Sequence, residues 1–238
     1  MVFKKKCKSR LIVRGAILLL LAYVSYSIFT GALKGTLLYK VYACSTGTID
    51  DYKVLGLYRP TNFTVDFYGL TFEGHSGNIL DDRILYMGAD EKETLFFIRD
   101  TLETIGRDKG VFVDVGANIG QHSLFASKYA HEVHAFEPYL PVLARFKRMV
   151  SINNIRNIIV HEVGLGNSNQ KTPFFAPVEG DSGTGSFAGG KNDNTQQEPE
   201  SEFDVVRGDD EFAKYGVSKV DLIKMDVEGA ELQALRGA

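Results

Sequence analysis

The feature of this chain that most restricts its fold is an apolar strand that runs directly into a glycine-bearing turn. Val111-Phe112-Val113-Asp114-Val115 is a buried-strand run, and Gly116-Ala117-Asn118-Ile119-Gly120 follows it at once. Glu132-Val133-His134-Ala135-Phe136 repeats the plan and ends at Glu137-Pro138. Ile158–Val163 and Val220–Met225 read as a third and a fourth strand. Helical segments separate the first three. One carries Leu124 and Phe125; the other opens at Pro141 and presents Val142, Leu143, Phe146, Met149 and Val150. Short strands alternating with helices imply βαβ units, hence an α/β fold with a mostly parallel sheet.

Upstream, Thr64–Tyr68 and Leu70-Thr71-Phe72 read as strands broken by Gly74 and Gly77. Ile84-Leu85-Tyr86-Met87 reads as a further short strand before Gly88, which makes 61–90 a small β-rich preface. From Glu91 the period changes. Leu95, Ile98, Leu102 and Ile105 recur at helical spacing, and Gly106 closes the helix. The polar stretch 166–202, with its glycines between Gly180 and Gly190, reads as a long mobile loop near the site, with a plain surface insertion as the alternative.

The N-terminal region is of another kind. Residues 1–14 contain six basic side chains and no acid, and Gly15 to Leu33 is an uncharged run of 19 residues. At about 1.5 Å per residue such a helix nearly crosses a hydrocarbon core of about 30 Å. A single membrane-spanning helix is therefore expected over 15–33, with a connector over 34–60. A cleaved signal peptide and a buried core helix are the alternatives. Charge asymmetry places the N-terminus in the cytoplasm. Lys34 and Lys40 leave the side of the body open.

Composition narrows the function classes. With 44% hydrophobic and 24% charged residues the chain is neither disordered nor collagen-like. A net charge of −3, carried by an acidic body behind the basic tail, argues against a general nucleic-acid binder. Two cysteines, Cys7 and Cys44, exclude a zinc ribbon or a disulfide framework.

In open α/β sheets ligands collect beyond the carboxyl ends of the strands. Three clusters fall there. The first is Asp114-x-Gly116-x-Asn118-x-Gly120, where the glycines allow a tight turn and a close approach to a ligand. The second is Glu137, which at a strand end can accept both hydroxyls of a ribose. Acid and glycine turn together point to an adenosine-containing cofactor, with a nicotinamide dinucleotide and S-adenosylmethionine both open. The turn lacks Gly-x-Gly-x-x-Gly, which disfavours the dinucleotide. The third is Lys224-Met225-Asp226-Val227-Glu228, in which Lys224, Asp226 and Glu228 share one face of an extended segment. A self-compensating ion network closed by Glu231 is the bland reading of that cluster.

Together the three clusters resemble the FkbM-type methyltransferases, a class I branch of the S-adenosylmethionine-dependent enzymes. The resemblance runs from about Ala89 to Ala238. It rests on VFVDVGANIGQHSLFA, VHAFEP and VDLIKMDVEGAELQALRG. It implies a Rossmann-like sheet of about seven strands, of which this chain holds four, with further strands completing the acceptor pocket. It implies that Asp114, Gly116, Ala117, Asn118 and Gly120 line the methionine part of S-adenosylmethionine. Glu137 and Pro138 would hold the ribose, with Glu162 and Gly164 beside the adenine. Asp226 and Glu228 would face the methyl group and the acceptor, a hydroxyl of a sugar or small molecule. Asp226 is the first candidate base, Glu228 the second, and His122 and His134 weaker ones. A membrane-tethered binding module without catalysis is the alternative from another class.

Overall fold

The computed structural model describes residues 61–174 and 201–238. The basic tail, the uncharged run 15–33, the connector 34–60, both cysteines and the glycine-rich part of the long loop lie outside the described residues. Among the described residues, no helix is long and apolar enough to cross a membrane.

The chain enters through a hairpin of β1 (Asn62–Phe67) and β2 (Leu70–His75). Tyr68 and Gly69 both have positive φ, the geometry that a two-residue hairpin turn requires. Gly74 does not break the second strand as expected. It lies inside it, opposite Phe63, whose ring sits where a Cβ would be. The expected strand at Ile84–Met87 is also overturned, because these residues form the second half of helix α1 (Ile79–Met87). Asn78 caps that helix by accepting from the Leu80 and Asp81 amides, and Gly88 ends it with φ +88°. Buried Asp81 then accepts two hydrogen bonds from Arg145, which ties the helix to the next layer.

Helix α2 (Lys92–Ile105) buries Leu95, Ile98 and Leu102 and closes at Gly106, as its spacing predicts. Strands β3 (Val111–Val115), β4 (Glu132–Phe136) and β5 (Ile158–His161) alternate with helices α3 (Gln121–Ala126) and α4 (Leu140–Ile152). The third strand ends two residues sooner than expected, as the chain leaves the sheet at Glu162. A second sheet follows from β6 (Gly164–Gly166), β7 (Gln170–Phe174) and β8 (Ser201–Arg207). The polar stretch 166–202 is thus not loop throughout: its two ends, β7 and the start of β8, pair antiparallel. Helix α5 (Gly208–Lys214), strand β9 (Leu222–Met225) and helix α6 (Glu231–Arg236) complete the described chain.

The main sheet has the order β5-β4-β3-β9 and every pairing in it is parallel. Alternation along the strands gives it two covered faces. Phe112, Val133 and Ala135 face the first core, built from α2, α3, α4 and the hairpin residues Phe67 and Phe72. Val113, Val115 and Phe136 face the second, closed by Leu165, Val206, Phe212 and Ala234. The hairpin therefore shares its core with the sheet.

His134 and His161 lie in that second layer. His134 Nδ1 is 3.0 Å from His161 Nε2, and His161 Nδ1 is 3.0 Å from Glu211 Oε1 on α5. The Phe136 ring stacks on His161 at 4.2 Å. Burial holds both imidazoles below their ordinary value near 6.5, against the pull of Glu132 on one and Glu211 on the other. On acidification the unfolded chain therefore takes up protons before the folded one. Stability from these groups is full above about pH 6.5 and falls as pH drops below it, by up to about 1.4 kcal/mol per pH unit for each histidine. Urea unfolding at pH 7.5 and 5.5 should show His134→Gln losing less stability between the two than the wild type. Equal losses would contradict the assignment.

Candidate active site

The carboxyl ends of β3, β4 and β9 open into one cavity of about 340 Å³. Its walls include Gly116, Ala117, Asn118, Glu137, Pro138, Gly164, Asp226 and Glu228, drawn from four separate chain segments. These eight sequence-derived candidates are brought together by the parallel sheet, which places every strand end on one side.

Glu137 is the buried carboxylate of the site. It is 7% exposed, and each oxygen already accepts one backbone amide, from Asn118 and from Tyr139, both at 2.8 Å. Burial pushes its carboxyl up; the two amides oppose that rise, and the charge on Asp114 adds to it. Each carboxylate oxygen keeps acceptor capacity toward the cavity. Asn118 has φ +52°, which turns its amide back onto Glu137. One carboxylate thereby fixes the glycine turn and faces the cavity.

Gly116 has φ +79°, and a Cβ there would lie 1.9 Å from the Asp226 carbonyl oxygen. The turn after β3 and the turn after β9 thus approach more closely than any side chain permits. Lys224 bridges the same two turns, donating to the Gly116 carbonyl at 3.2 Å. Its ammonium lies 3.6 Å from Asp114 and 3.7 Å from Asp226. Glu231 accepts from the Val227 and Gly229 amides and braces the β9 turn, so the bland reading of this cluster is also realised.

Four expectations are corrected. Asp114 does not line the cavity. It is fully buried beneath it, accepting from Ser123 Oγ at 2.7 Å and facing Lys224, because it shares the inward face of β3 with Phe112. Gly120 does not line it either. With φ +82° it starts α3, and the Phe146 ring occupies the place of a Cβ. Glu162 stands outside, more than half exposed and paired with Lys147. His134 is remote, in the second core layer, whereas His122 does line the cavity.

The remaining wall comes from α1 and the loop after it, which carry Arg83, Asp90 and Glu91. Arg83 makes a forked pair with Asp90 at 3.0 Å. Gln121 holds that loop from across the cavity: its Oε1 accepts from the Asp90 amide at 2.8 Å, and its Nε2 donates to the Asp90 carbonyl at 3.1 Å. Sequence reasoning passed over these residues. The one available signal was Asn78 ahead of Asp81 and Asp82, a helix start.

The described residues contain no group of three or more metal-ligating side chains. The site instead offers a buried carboxylate, exposed carboxylates at its rim and a backbone turn free of side chains. That donor set fits an S-adenosyl cofactor, because carboxylates suit ribose hydroxyls and a sulfonium.

Comparison with known proteins agrees. Residues 114–238 match the model of the family described as Methyltransferase FkbM domain. Methyltransferase 1 of Beauveria bassiana (strain ARSEF 2860) is 30% identical over 148 residues, covering 55% of this chain and 59% of that protein. This chain thus spans little more than half the length of that relative. Among solved structures, methyltransferase FkbM from Methylobacillus flagellatus KT is 25% identical, with a TM-score of 0.37, over 55% of this chain and 29% of that one. M. jannaschii TYW2 in complex with AdoMet is 21% identical, with a TM-score of 0.31, over 43% of each chain.

Proposed function

The chain belongs to the FkbM methyltransferase family, whose members use S-adenosylmethionine, and on that premise we propose that it transfers a methyl group to a hydroxyl of a sugar or small molecule. The observation that carries this reading is Glu137, a buried carboxylate that faces the cavity next to a turn which Gly116 keeps free of side chains. In this reading Glu137 receives the ribose hydroxyls and Pro138 backs the sugar. Gly116, Ala117 and Asn118 line the methionine part, and Gly164 flanks the adenine. When bound, S-adenosylmethionine supplies a sulfonium methyl whose departure leaves a neutral thioether.

The protein's own part is proximity and orientation. Asp226 and Glu228 stand at the open side of the cavity, where they align the acceptor hydroxyl. Lys224 fixes Asp226 relative to the Gly116 turn through contacts with both. An uncharged polyhydroxylated acceptor suits this rim, because the carboxylates of Asp90, Glu91, Asp226 and Glu228 outnumber the cations Arg83 and Lys224 and would repel an anion. A membrane anchor over 15–33, holding the domain at a lipid surface, is part of the same proposal.

Incubation of the full chain with methyl-labelled S-adenosylmethionine and a panel of neutral and acidic glycans, lipids and small alcohols tests the reading. Label should pass to neutral hydroxyl compounds in preference to acidic ones. Transfer to acidic acceptors alone, or to none, would reject the acceptor assignment.

A further inference from the structure

One cavity side chain has no task in this reading. His122, in the first turn of α3, lines the cavity while being only 8% exposed, and its Nε2 is buried without a hydrogen-bond partner. The carboxylate facing it is Glu91, with Oε2 3.4 Å from Nε2. Glu91 stands at the head of α2 with φ 44°, a left-handed conformation, and its side chain makes no capping hydrogen bond. A non-glycine residue holds such a backbone only where its surroundings enforce it. Here they do: Gln121 grips the preceding residue, Asp90, by both its amide and its carbonyl. Adjacent residues of α3 thus act on the same loop, Gln121 fixing its backbone and His122 meeting its side chain.

We propose that His122 takes the proton from the acceptor hydroxyl at Nδ1 during methyl transfer, with Glu91, whose carboxylate faces the other ring nitrogen, Nε2, as the positioning residue that orients the imidazole and balances its charge. The proposal rests on the methyl-transfer reading above. As the new C–O bond forms and the S–C bond breaks, sulfur keeps the bonding pair. The hydroxyl proton passes to His122, and from the imidazolium it is later lost to water. Asp226 is the weaker base, because its carboxylate is 59% exposed and already faces Lys224 at 3.7 Å.

The groups facing His122 are Asp114 on β3, Lys224 on β9, and Asp90 and Glu91 on the loop. Burial lowers its pKa and Lys224 adds to that; Asp114, Glu91 and Asp90 act against it. The net direction is downward, so the imidazole is neutral near pH 7 and can accept a proton.

Diethyl pyrocarbonate modifies neutral imidazoles, and peptide mass spectrometry of the full chain reads each histidine separately. His122 should react with a pH midpoint below the ordinary 6.5. Glu91→Gln should move that midpoint further toward acid, since it removes a charge that favours the imidazolium. Saturating S-adenosylhomocysteine should slow modification of His122 severalfold and leave exposed His75 and His131 unchanged. An unreactive His122, or a midpoint unmoved in Glu91→Gln, would overturn the proposal. Calorimetry on the same samples separates the two readings. Failure to bind S-adenosylhomocysteine would sink the methyl-transfer reading, whereas binding that leaves His122 unprotected would sink this proposal alone. In turnover, His122→Gln should lower kcat by about 10²-fold or more while the KM for S-adenosylmethionine stays within a few-fold. An unchanged kcat would also overturn it.

Discussion

Glu137→Ala should lower affinity for S-adenosylhomocysteine by at least about tenfold, and Glu137→Gln by less. The expectation follows from what the side chain does in two directions. Toward the cavity it presents a carboxylate whose hydrogen bonds to ribose hydroxyls are each worth about 1.5–3 kcal/mol. Toward the protein it accepts the Asn118 and Tyr139 amides, one on each oxygen. Alanine removes both sets of bonds and releases the Asn118 turn. Glutamine keeps one acceptor oxygen and the shape, so it retains one amide bond and part of the ribose contact. The wild-type affinity should also weaken on the acid side, because burial raises the Glu137 carboxyl and its protonation removes the stronger acceptor. Calorimetry across pH 5 to 8 measures all three effects. Unchanged affinity in a folded Glu137→Ala protein would remove Glu137 from the site.

Gly116→Ala should be among the most destabilising single-methyl changes in the described chain. Its Cβ would lie 1.9 Å from the Asp226 carbonyl oxygen and 3.0 Å from the carbonyl carbon, both backbone atoms that cannot swing aside. A left-handed conformation costs a non-glycine residue about 1–2 kcal/mol, and forcing atoms into a packed site adds about 1–3 kcal/mol. Gly88→Ala is the matched control. Its φ of +88° is similar, but no atom lies within 4 Å of the added methyl, so only the backbone part of the cost applies. In thermal melts, Gly116→Ala should lose several degrees more than Gly88→Ala. It should also lose cofactor binding, because Asp226 and the Gly116 turn must part. Equal shifts in the two variants would show that the turns do not approach as described.

How far the fold is legible in the sequence depends on the distance over which each signal acts. The four parallel strands announce themselves through local apolar runs, and Leu95, Ile98 and Leu102 announce α2 through period alone. Ile84–Met87 fails because four apolar residues suit either strand or helix. Asn78 and Gly88, the cap and the stop, decide it. Strand β7 fails because its residues are mostly polar and exposed. Strand β8 does alternate, with Phe203 and Val205 buried between exposed Glu202 and Asp204, but the partner that makes it a strand lies on the far side of residues 175–200.

At the site, strand ends show where the turn and Glu137 fall but not which way each side chain points. For Asp114 the alternation with Phe112 held that information, and it places the carboxylate in the interior. Gly120 answers to Phe146, and Asp90 answers to Gln121 from 31 residues away. No spacing rule reaches so far. The wall formed by α1, Asp90 and Glu91 therefore emerges only in three dimensions.

The central claim is that the cavity beyond β3, β4 and β9 is an S-adenosylmethionine site, and one titration reaches it most directly. Calorimetric titration of the full chain with S-adenosylhomocysteine, run beside an identical titration with NADH, should give saturable binding of the first and none of the second. A folded chain that takes up NADH as tightly as S-adenosylhomocysteine, or that binds neither, would contradict the account.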